Sequence, residues 1–427
     1  MKSTIQSVKG TREFYPEEMA VRQWIYQNIR KVSQSFGYEE WDGPFLEKID
    51  LYAAKSGEEL VKEQSFVFED RGGDPVTLRP ELTPSLARMI AQRQNQLVFP
   101  LRWWSFGPFW RYERPQKGRT REFFQWNIDL IGADTPEADA ELISVAASFL
   151  RQIGYRPDQV QIVANNRKLM DQVLTGLGIP KEKNPSIFKL IDKKGKLSPA
   201  AWQEYAIEIG MTVEQFEGLK NVLEDPDLWK QSPEMVRVFN AVEAYGLKEY
   251  VRFDPKIIRG LDYYTGTVFE AIHMTEGGRS ILGGGRYDNL VSDVGGTPVG
   301  GVGFAMGDVM IQVLLREDKL IPALRTIPAR VLVAVFNEET QTEAMRLASE
   351  IRQDGINVIA YPEPAKLAKQ FKYADRQGIR YVVLAGPDEL ANHKFAFKDL
   401  ISGEQQIVDR GELTKMIREK LATEESL

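Results

Sequence analysis

The sequence predicts an α/β protein with more than one domain, and three observations support that fold class. A chain of 427 residues, 43% hydrophobic and 27% charged, is a globular sequence too long for one ordinary core. Residues 101–131 alternate large apolar with polar side chains, which is typical of two antiparallel strands joined by a loop. From residue 330 onward, strand and helix patterns alternate, which indicates a small α/β domain with a mostly parallel sheet.

The first part of the chain carries helical periodicity and hairpin signals. Ile25, Ile29 and Val32 recur at helical spacing, which predicts an amphipathic helix that Gly37 ends. Two short apolar runs flank a Gly-Gly pair, which is typical of a hairpin. The predicted elements are a helix over 17–36, a strand over 38–41, a hairpin of 64–70 and 76–79, and a helix over 81–93.

The strand predicted over 122–131 has two chemically different faces. Large apolar side chains fall on one face, and the other carries Gln125, Asn127 and Asp129. Such a pattern suits a surface strand, and it equally suits a strand that forms the floor of a pocket. The basic segment before this strand favours the pocket.

The remaining elements divide the chain further. Residues 166–247 form a polar, helix-rich segment without a glycine-rich motif, which we interpret as an inserted helical domain. A proline-containing linker follows Arg316. The other predicted elements are helices over 136–153, 338–354 and 365–378, strands over 330–336, 356–361 and 380–385, then two short strands and a terminal helix. No G-x-G-x-x-G fingerprint follows a strand, so a dinucleotide-binding sheet is not expected.

Composition excludes several kinds of chemistry. The chain has no cysteine, which excludes disulfides, cysteine nucleophiles and thiolate metal sites. Its two histidines, His273 and His393, make a serine–histidine–aspartate triad and a protein-bound metal from cysteine or histidine improbable. No apolar run of membrane-spanning length and no secretory signal are present in the sequence, so a cytosolic location is expected. Carboxylates, arginines and tyrosines remain, an inventory that suits phosphoryl or nucleotidyl transfer, with a net charge of −6.

Two glycine-rich segments carry most of the functional information. RGLDYYTGTVFEA at 259–271 is predicted to be a loop that enters a strand, and GGGRYDNLV at 283–291 a glycine-rich turn that enters a helix. Each places charged or aromatic side chains where glycine lets the backbone approach a ligand. Together they resemble the pair of segments peculiar to histidyl-tRNA synthetases. The resemblance implies a histidine pocket that includes Arg259, Tyr263, Tyr264 and Tyr287.

Two earlier segments resemble further motifs of the same family. TLRPELTP at 77–84 is a rigid turn into a helix, with Thr83 near the N-cap, and a capping role would explain it equally well. It resembles the family segment whose glutamate and threonine bind the substrate amino group, here Glu81 and Thr83. WRYERPQKGRTREFFQ at 110–125 contains a basic, glycine-containing loop suited to polyphosphate or RNA, and it resembles class II motif 2.

Residue roles follow from that resemblance. Arg259 would neutralise the charge that develops when a carboxylate joins the α-phosphate of ATP. Asp129 and Tyr264 would bind the two imidazole nitrogens, since a neutral imidazole has one donor and one acceptor. The catalytic residues implied are Arg259 and Arg111. The histidine-binding residues implied are Glu81, Thr83, Arg111, Gln125, Asp129, Arg259, Tyr263, Tyr264 and Tyr287. The ATP-binding residues implied are Arg111, Glu113, Arg121 and Gly307.

One position departs from the family pattern. Class II enzymes carry a third motif whose arginine lies over the ATP γ-phosphate, and Met310 stands at that position here. Another arginine, Arg121 or Arg286, could take its place. Otherwise the chain binds ATP more weakly, or the site is degenerate.

The predicted helix 365–378 carries a basic stripe with one aromatic residue, formed by Lys366, Lys369, Tyr373 and Arg376. Such a stripe suits RNA contact through phosphate charge and base stacking, and an ordinary solvated face has the same pattern. The whole C-terminal segment resembles the anticodon-binding domain of class IIa synthetases, which implies that this stripe contacts tRNA.

The resemblance spans nearly the full length and implies a cytosolic, homodimeric histidine–tRNA ligase. Its partners would be histidine, ATP with Mg²⁺, and tRNA(His). Its catalytic core, residues 1–165 and 248–320, would be an antiparallel sheet flanked by helices, with a helical insertion at 166–247 and an anticodon-binding α/β domain at 328–427. The rivals are the histidine-sensing regulatory subunit of ATP phosphoribosyltransferase, an RNA-binding paralogue without activity, and a synthetase-like enzyme that activates another amino acid.

Overall fold

A computed structural model of the chain describes residues 5–53, 63–258, 264–275, 278–289 and 291–425. The chain divides into two compact units, Met1–Pro322 and Ala323–Leu427. The boundary falls within the proline-containing linker. The helical segment 166–247 belongs to the first unit, and its standing as a separate insertion domain stays a prediction.

The first unit is built on a large sheet with helices around it. Its strands are β1 (Glu39–Glu40), β2 (Leu46–Lys48), β3 (Phe66–Glu69), β4 (Pro75–Leu78), β5 (Leu101–Trp110), β6 (Glu122–Ile131), β7 (Val160–Asn166), β8 (Val251–Phe253), β9 (Thr267–His273), β10 (Arg279–Tyr287) and β11 (Gly301–Gly307). Its α-helices are α1 (Pro16–Ser35), α2 (Asp50–Ala53), α3 (Thr83–Arg93), α4 (Pro136–Gln152), α5 (Arg167–Gly176), α6 (Asn184–Asp192), α7 (Pro199–Glu208), α8 (Val213–Glu224), α9 (Pro233–Ala244) and α10 (Asp308–Glu317).

Eight strands form the large sheet in the order β1-β5-β6-β11-β10-β9-β7-β8. Every pairing from β5 to β7 is antiparallel, whereas β1 with β5 and β7 with β8 are parallel. The β5–β6 hairpin runs from the pair Leu101 and Ile131 to the pair Trp110 and Glu122. The expected antiparallel sheet flanked by helices is thus confirmed, with one parallel pair at each edge.

Helix α4 covers the apolar face of β6. Trp126 lies 5.1 Å from the Phe149 ring of this helix, measured between ring centroids. Side chains alternate along a strand, so the opposite face of β6 presents Gln125, Asn127 and Asp129 away from α4. Helix α1 packs on α4 and buries Ile25, as its periodicity predicts. The fold therefore leaves the polar face of β6 available for a site.

The glycines of GGGRYDNLV lie inside strand β10, so the predicted glycine-rich turn into a helix is wrong. Gly284 pairs with Phe269 on one side and with Phe304 on the other. A Cβ at Gly284 would lie 2.5 Å from the Cβ of Phe304, so the close approach of β10 to β11 requires glycine there. Between β10 and β11, the described residues contain one 3₁₀ turn, Ser292–Val294, and no α-helix.

The β3–β4 hairpin confirms the prediction around Gly72 and Gly73. Together with β2 it forms a small antiparallel sheet in the order β2-β4-β3. Helix α3 follows this sheet and begins at Thr83.

The second unit is a five-stranded sheet with helices, in the order β13-β12-β14-β15-β16. Its elements are β12 (Val331–Ala334), α11 (Glu338–Gln353), β13 (Val358–Ala360), α12 (Leu367–Arg376), β14 (Tyr381–Leu384), α13 (Pro387–Ala391), β15 (Lys394–Asp399), β16 (Gln405–Asp409) and α14 (Arg410–Glu425). The pairings among β12, β13 and β14 are parallel, as expected, but β15 and β16 pair antiparallel. The sheet is therefore mixed rather than mostly parallel, because short connections join the last three strands.

Within the residues that the structure describes, no helix is both long and apolar enough to cross a membrane.

Candidate active site

A pocket of about 260 Å³ opens over the polar face of β6 and the neighbouring strands β10 and β11. We call it the central pocket. It is lined by Glu81, Thr83, Arg111, Gln125, Asn127, Asp129, Tyr264, Ser280, Ile281, Leu282, Gly283, Tyr287, Gly303, Phe304 and Ala305. Its size is close to the lower end of known small-molecule sites, so it suits a ligand about the size of an amino acid.

The deepest polar feature of the central pocket is a carboxylate bonded to a tyrosine. The hydroxyl of Tyr287 donates a hydrogen bond to Oδ1 of Asp129 over 2.6 Å, and both residues are buried. Burial raises the pKa of Asp129 to about 7, although the Tyr287 hydrogen bond opposes that rise. Among the described residues no arginine or lysine forms an ion pair with Asp129. A cation or an N–H donor from a ligand would therefore find a desolvated carboxylate without a countercharge.

A glycine makes room for this carboxylate. Gly303 on β11 pairs directly with Asp129 on β6. A Cβ at Gly303 would overlap the Asp129 carboxylate and would lie 2.8 Å from the carbonyl oxygen of Ile128. The position of Asp129 thus depends on the missing side chain opposite.

Replacing Gly303 by alanine should therefore displace Asp129. We expect the free energy of unfolding to fall by about 1–3 kcal/mol from overpacking, and ligand affinity at the central pocket to fall at least about tenfold. Chemical denaturation and ligand titration by calorimetry would measure the two effects. Gly176→Ala is the matched control, because a Cβ there meets nothing within 4 Å. Unchanged affinity in Gly303→Ala would contradict this account.

The turn that carries Glu81 and Thr83 is held by a buried arginine. Arg79 is fully buried, and it donates from Nε to the carbonyl of Pro108 over 2.9 Å and from Nη1 to Asp42 over 2.6 Å. Leu82 occupies the N-cap of α3 and its side chain makes no capping hydrogen bond. Thr83 is the first helical residue, so a capping role does not explain this segment, and both predicted ligand-binding side chains line the pocket instead.

Arg111 lies where β5 ends. Its Nε donates to the carbonyl of Pro80 over 2.9 Å, and its guanidinium lies 5.4 Å from the centroid of the Phe123 ring. The TLRPE turn and the end of β5 are thus tied together, which aims Arg111 into the central pocket.

The basic loop, residues 112–121, follows directly. Glu113, predicted to bind ATP, accepts a hydrogen bond from Arg119 over 3.4 Å. The guanidinium of Arg121 lies 3.9 Å from the centroid of the Tyr112 ring, and its Nε donates to the carbonyl of Glu113 over 3.2 Å. Neither Glu113 nor Arg121 lines the central pocket, so their predicted ATP contacts stay predictions.

Helix α10 begins after Gly307 with an unusual set of side chains. Asp308 is buried and accepts hydrogen bonds from Arg12 over 2.9 Å and from the backbone N–H of Phe124 over 2.8 Å. Burial raises the pKa of Asp308, against the opposing effect of Arg12. Met310 reaches the basic loop, because its methyl group occupies the space that a Cβ at Gly118 would need. Met310, which stands at the third-motif position, therefore packs on the basic loop and provides no positive charge for the ATP γ-phosphate.

Arg286 cannot take the place of the missing arginine. It is buried, and it donates to Asp139 over 2.8 Å, to Asp134 over 3.0 Å and to the carbonyls of Ala133 and Thr135 over 3.1 Å each. These bonds occupy its donors, so Arg286 fastens β10 to the start of α4. Of the two arginines predicted as replacements for the third-motif arginine, Arg121 therefore stays a candidate and Arg286 does not.

Two predicted residues, Arg259 and Tyr263, lie outside the described residues. Tyr264 is described, lines the central pocket, and accepts at its carbonyl a hydrogen bond from Arg167 over 3.0 Å. All the other predicted histidine-binding residues line the same pocket, namely Glu81, Thr83, Arg111, Gln125, Asp129, Tyr264 and Tyr287.

Several lining residues were not predicted. Asn127 is the polar one among them on β6, and its place between Gln125 and Asp129 on one strand face was the signal that could have found it. Phe304, Ala305 and Gly303 enter through the pairing of β11 with β6, which no local pattern in the sequence indicates.

The predicted tRNA residues lie on one helix of the second unit. Lys366 is the N-cap of α12, and Lys369 is exposed and paired with Glu363 over 2.8 Å. Arg376 is exposed, whereas Tyr373 is half-buried with its ring edge-on to Tyr361 at 5.6 Å. Their contact with RNA stays a prediction.

An antiparallel sheet with a polar strand face, the TLRPE turn and a basic strand connection define a class II aminoacyl-tRNA synthetase, the class that the motifs resemble. A family model described as histidyl-tRNA synthetase matches residues 10–309, and one described as anticodon binding domain matches 330–420. The chain belongs to the histidyl-tRNA synthetase family.

Individual relatives agree with the family models. The histidine–tRNA ligase of Leptospira biflexa is 33% identical, with 99% of each chain covered. That of Thermoplasma volcanium is 37% identical, with 97% of this chain and 98% of the relative covered. The crystal structure of histidyl-tRNA synthetase from Nostoc sp. PCC 7120 is 27% identical with a TM-score of 0.85, covering 98% of this chain and 100% of that one.

Proposed function

We propose that this protein is a histidine–tRNA ligase, which activates histidine with ATP to histidyl-adenylate and transfers it to tRNA(His). The observation that carries the proposal is the convergence on one pocket of seven side chains that four separate sequence segments supply. Full-length similarity to curated histidine–tRNA ligases supports the same function.

The chemistry of the central pocket suits histidine at one end. The pKa of Asp129 is about 7, so both of its protonation states are accessible near neutral pH. The ionised carboxylate can accept a hydrogen bond from an imidazole N–H, and the protonated carboxyl can donate one to an imidazole nitrogen. Tyr264 and Tyr287 line the same end. A pocket whose buried polar groups match both ring nitrogens rejects isosteres, because an amino acid without those atoms leaves the groups unpaired.

The other end of the pocket suits a carboxylate and a phosphate. Arg111 would bind the histidine carboxylate and the ATP α-phosphate, and Glu81 and Thr83 the amino group. In the activation step a carboxylate oxygen bonds to the α-phosphorus while the bond to the bridging oxygen breaks and pyrophosphate leaves. Arg111, with Arg259 by family resemblance, would neutralise the charge that accumulates between the two anions.

Magnesium would enter with the nucleotide. Among the described residues no group of three or more histidine, aspartate or glutamate side chains is placed to hold a metal ion. Mg²⁺ commonly binds through substrate phosphates with one or two carboxylates, so such a protein cage is not required. Glu113, Arg121 and Gly307 are the further residues that we assign to ATP.

We also propose a cytoplasmic homodimer. Phe45, Leu46, Val67 and Phe68 around the small sheet are each about half exposed, with exposed fractions of 46–47%. Large apolar side chains exposed around one small sheet favour a protein partner over solvent.

ATP–pyrophosphate exchange with each of the twenty amino acids, tested separately, decides the proposal. We expect exchange with histidine alone. No exchange with any amino acid from folded protein would favour the regulatory or RNA-binding paralogue, and exchange with a different amino acid would change the substrate. None of these rivals is favoured by an observation on this chain beyond Met310.

The basic stripe on α12 predicts a separable effect on tRNA. Replacing Lys366, Lys369 and Arg376 together by alanine should weaken tRNA(His) binding about 10- to 100-fold, because three phosphate contacts are lost. Adenylate formation should not change. Filter binding at several salt concentrations would measure the affinity and should give a shallower salt dependence.

A control for this experiment removes three other exposed cations of the same unit, Arg346, Lys415 and Arg418. We expect that control to bind tRNA(His) nearly as well as the unchanged protein. Equal losses in the two triple variants would refute a specific role for α12.

A further inference from the structure

Asn127 carries a buried hydrogen-bond donor for which the described part of the chain provides no partner. It lies in the middle of β6, between Gln125 and Asp129, with an exposed fraction of 6%. Its Nδ2 is buried and has no hydrogen-bond partner among the residues that the structure describes. Asn165, a buried amide on β7, instead donates to the carbonyls of Pro255 and Ile257 over 3.1 and 3.2 Å.

Small neighbours on both sides leave room around the Asn127 amide at the wall of the central pocket. Its cross-strand neighbours, Ser105 on β5 and Ala305 on β11, both have small side chains. Asn127 itself lines the pocket together with Ala305. Most buried polar groups in proteins are paired, so an unpaired donor on a side chain that lines a ligand pocket indicates a contact made by the ligand.

The position of Asn127 along β6 indicates which atom of the ligand its amide contacts. Residues two apart on a strand are separated by about 6.7 Å, so Asn127 lies one such step from Asp129 toward Gln125 and the Arg111 end. A histidine whose ring reaches Asp129 spans about that step between its ring and its carboxylate. The α-amino group is a donor and cannot pair with Nδ2, whereas a carboxylate oxygen can.

We propose that Nδ2 of Asn127 donates a hydrogen bond to a carboxylate oxygen of bound histidine, which makes Asn127 a substrate-binding residue. The inference rests on the proposed function. It adds to the charged contact of Arg111 a neutral donor from the strand that forms the pocket floor. The same oxygen persists as the carbonyl oxygen of the adenylate, so the contact would be kept after activation.

Calorimetric titration with histidine and with histidinol, whose hydroxymethyl group replaces the carboxylate, tests the assignment. In Asn127→Ala the Kd for histidine should rise about 10- to 100-fold, whereas the Kd for histidinol should change less than about threefold. The melting temperature of the free protein should stay equal or rise, because a buried unpaired donor is removed. Ser144→Ala is the matched control, since Ser144 Oγ is buried, lacks a partner among the described residues and lies on α4.

A second variant guards against misfolding of the first. Asn127→Asp is nearly isosteric, loses the donor and adds a charge that repels a carboxylate, so it should weaken histidine binding more than alanine does. Equal losses for histidine and histidinol, or no loss for either, overturn the role of Asn127 while leaving the proposed function standing. If the unchanged, folded protein binds no histidine, both proposals are withdrawn together.

Discussion

Replacing Arg111 by alanine should lower histidine-dependent ATP–pyrophosphate exchange about 100- to 1,000-fold, the cost typical of losing one group that stabilises transition-state charge. Arg111 is half-buried and lines the central pocket, and one of its donors is fixed on the carbonyl of Pro80. No carboxylate forms an ion pair with it within the described parts of the chain. A guanidinium held by backbone and left without a counterion is suited to an anionic ligand.

The loss should appear mainly in the rate and less in the stability of the protein. Arg111→Ala removes one hydrogen bond to a carbonyl, which stabilises a protein by only about 1 kcal/mol. Arg111→Lys keeps the charge but not the planar fork, so it should recover part of the rate. Quenched-flow measurement of adenylate formation separates the chemical step from substrate binding.

Arg102 offers a control near the start of β5, the strand that ends just before Arg111. It pairs with both carboxylate oxygens of Glu141 over 2.8 and 2.9 Å and does not line the central pocket. Arg102→Ala should therefore reduce the melting temperature while leaving exchange nearly unchanged. If Arg111→Ala kept full exchange, Arg111 would have no part in activation.

Local patterns in the sequence predicted most of the fold. The β5–β6 hairpin follows from period-two alternation on both sides of a basic loop, and α1 follows from apolar residues at helical spacing. The meeting of Asp129 and Tyr287 in one pocket followed only from family resemblance, because 157 intervening residues separate them in the sequence. The sequence could not show whether Arg121 or Arg286 is free to bind the ATP γ-phosphate, because that depends on their partners in the fold. Arg286 donates its hydrogen bonds to Asp139 and its neighbours.

Pairing between distant strands explains what sequence reasoning missed. Glycines are turn signals in isolation, yet Gly284 lies between two partner strands, and its lack of a side chain serves their close approach. Likewise, the polar strand face that carries Asn127 suits a surface strand as well as a pocket floor, and the strand β11 beside it shows that the pocket is formed. Such information lies in register, which a single sequence does not specify.

Replacing Asp129 by asparagine should make the free protein more stable while nearly abolishing its use of histidine. The unfolded chain releases the Asp129 proton near the ordinary pKa of 3.8, whereas burial raises the folded pKa to about 7. Between these values the unfolded state binds fewer protons, so folding stability falls as the pH rises. At pH 8 the loss reaches up to about 4 kcal/mol, and asparagine, which has no charge to desolvate, avoids it.

The stability difference between the two proteins should therefore depend on pH in a defined way. It should be largest at pH 8 and approach zero below about pH 3, where Asp129 is protonated in both states. Denaturant unfolding at a series of pH values would measure it. Asp399 should show the opposite pH dependence of stability, because a hydrogen bond from Arg380 lowers its pKa to about 2. Asp399→Asn should therefore destabilise the second unit above pH 4.

Asp129→Asn should bind histidine more weakly although it is more stable. Asparagine keeps the Tyr287 hydrogen bond but loses the charge, and a pocket that loses a charged partner for the imidazole should bind histidine at least about 100-fold more weakly. A variant that is more stable at pH 8 yet inactive would mean that the protein retains a buried carboxylate without a countercharge because histidine supplies that charge. A variant that is less stable at pH 8 would show that Asp129 already has a countercharge within the free protein, and the imidazole contact would have to be sought elsewhere in the pocket.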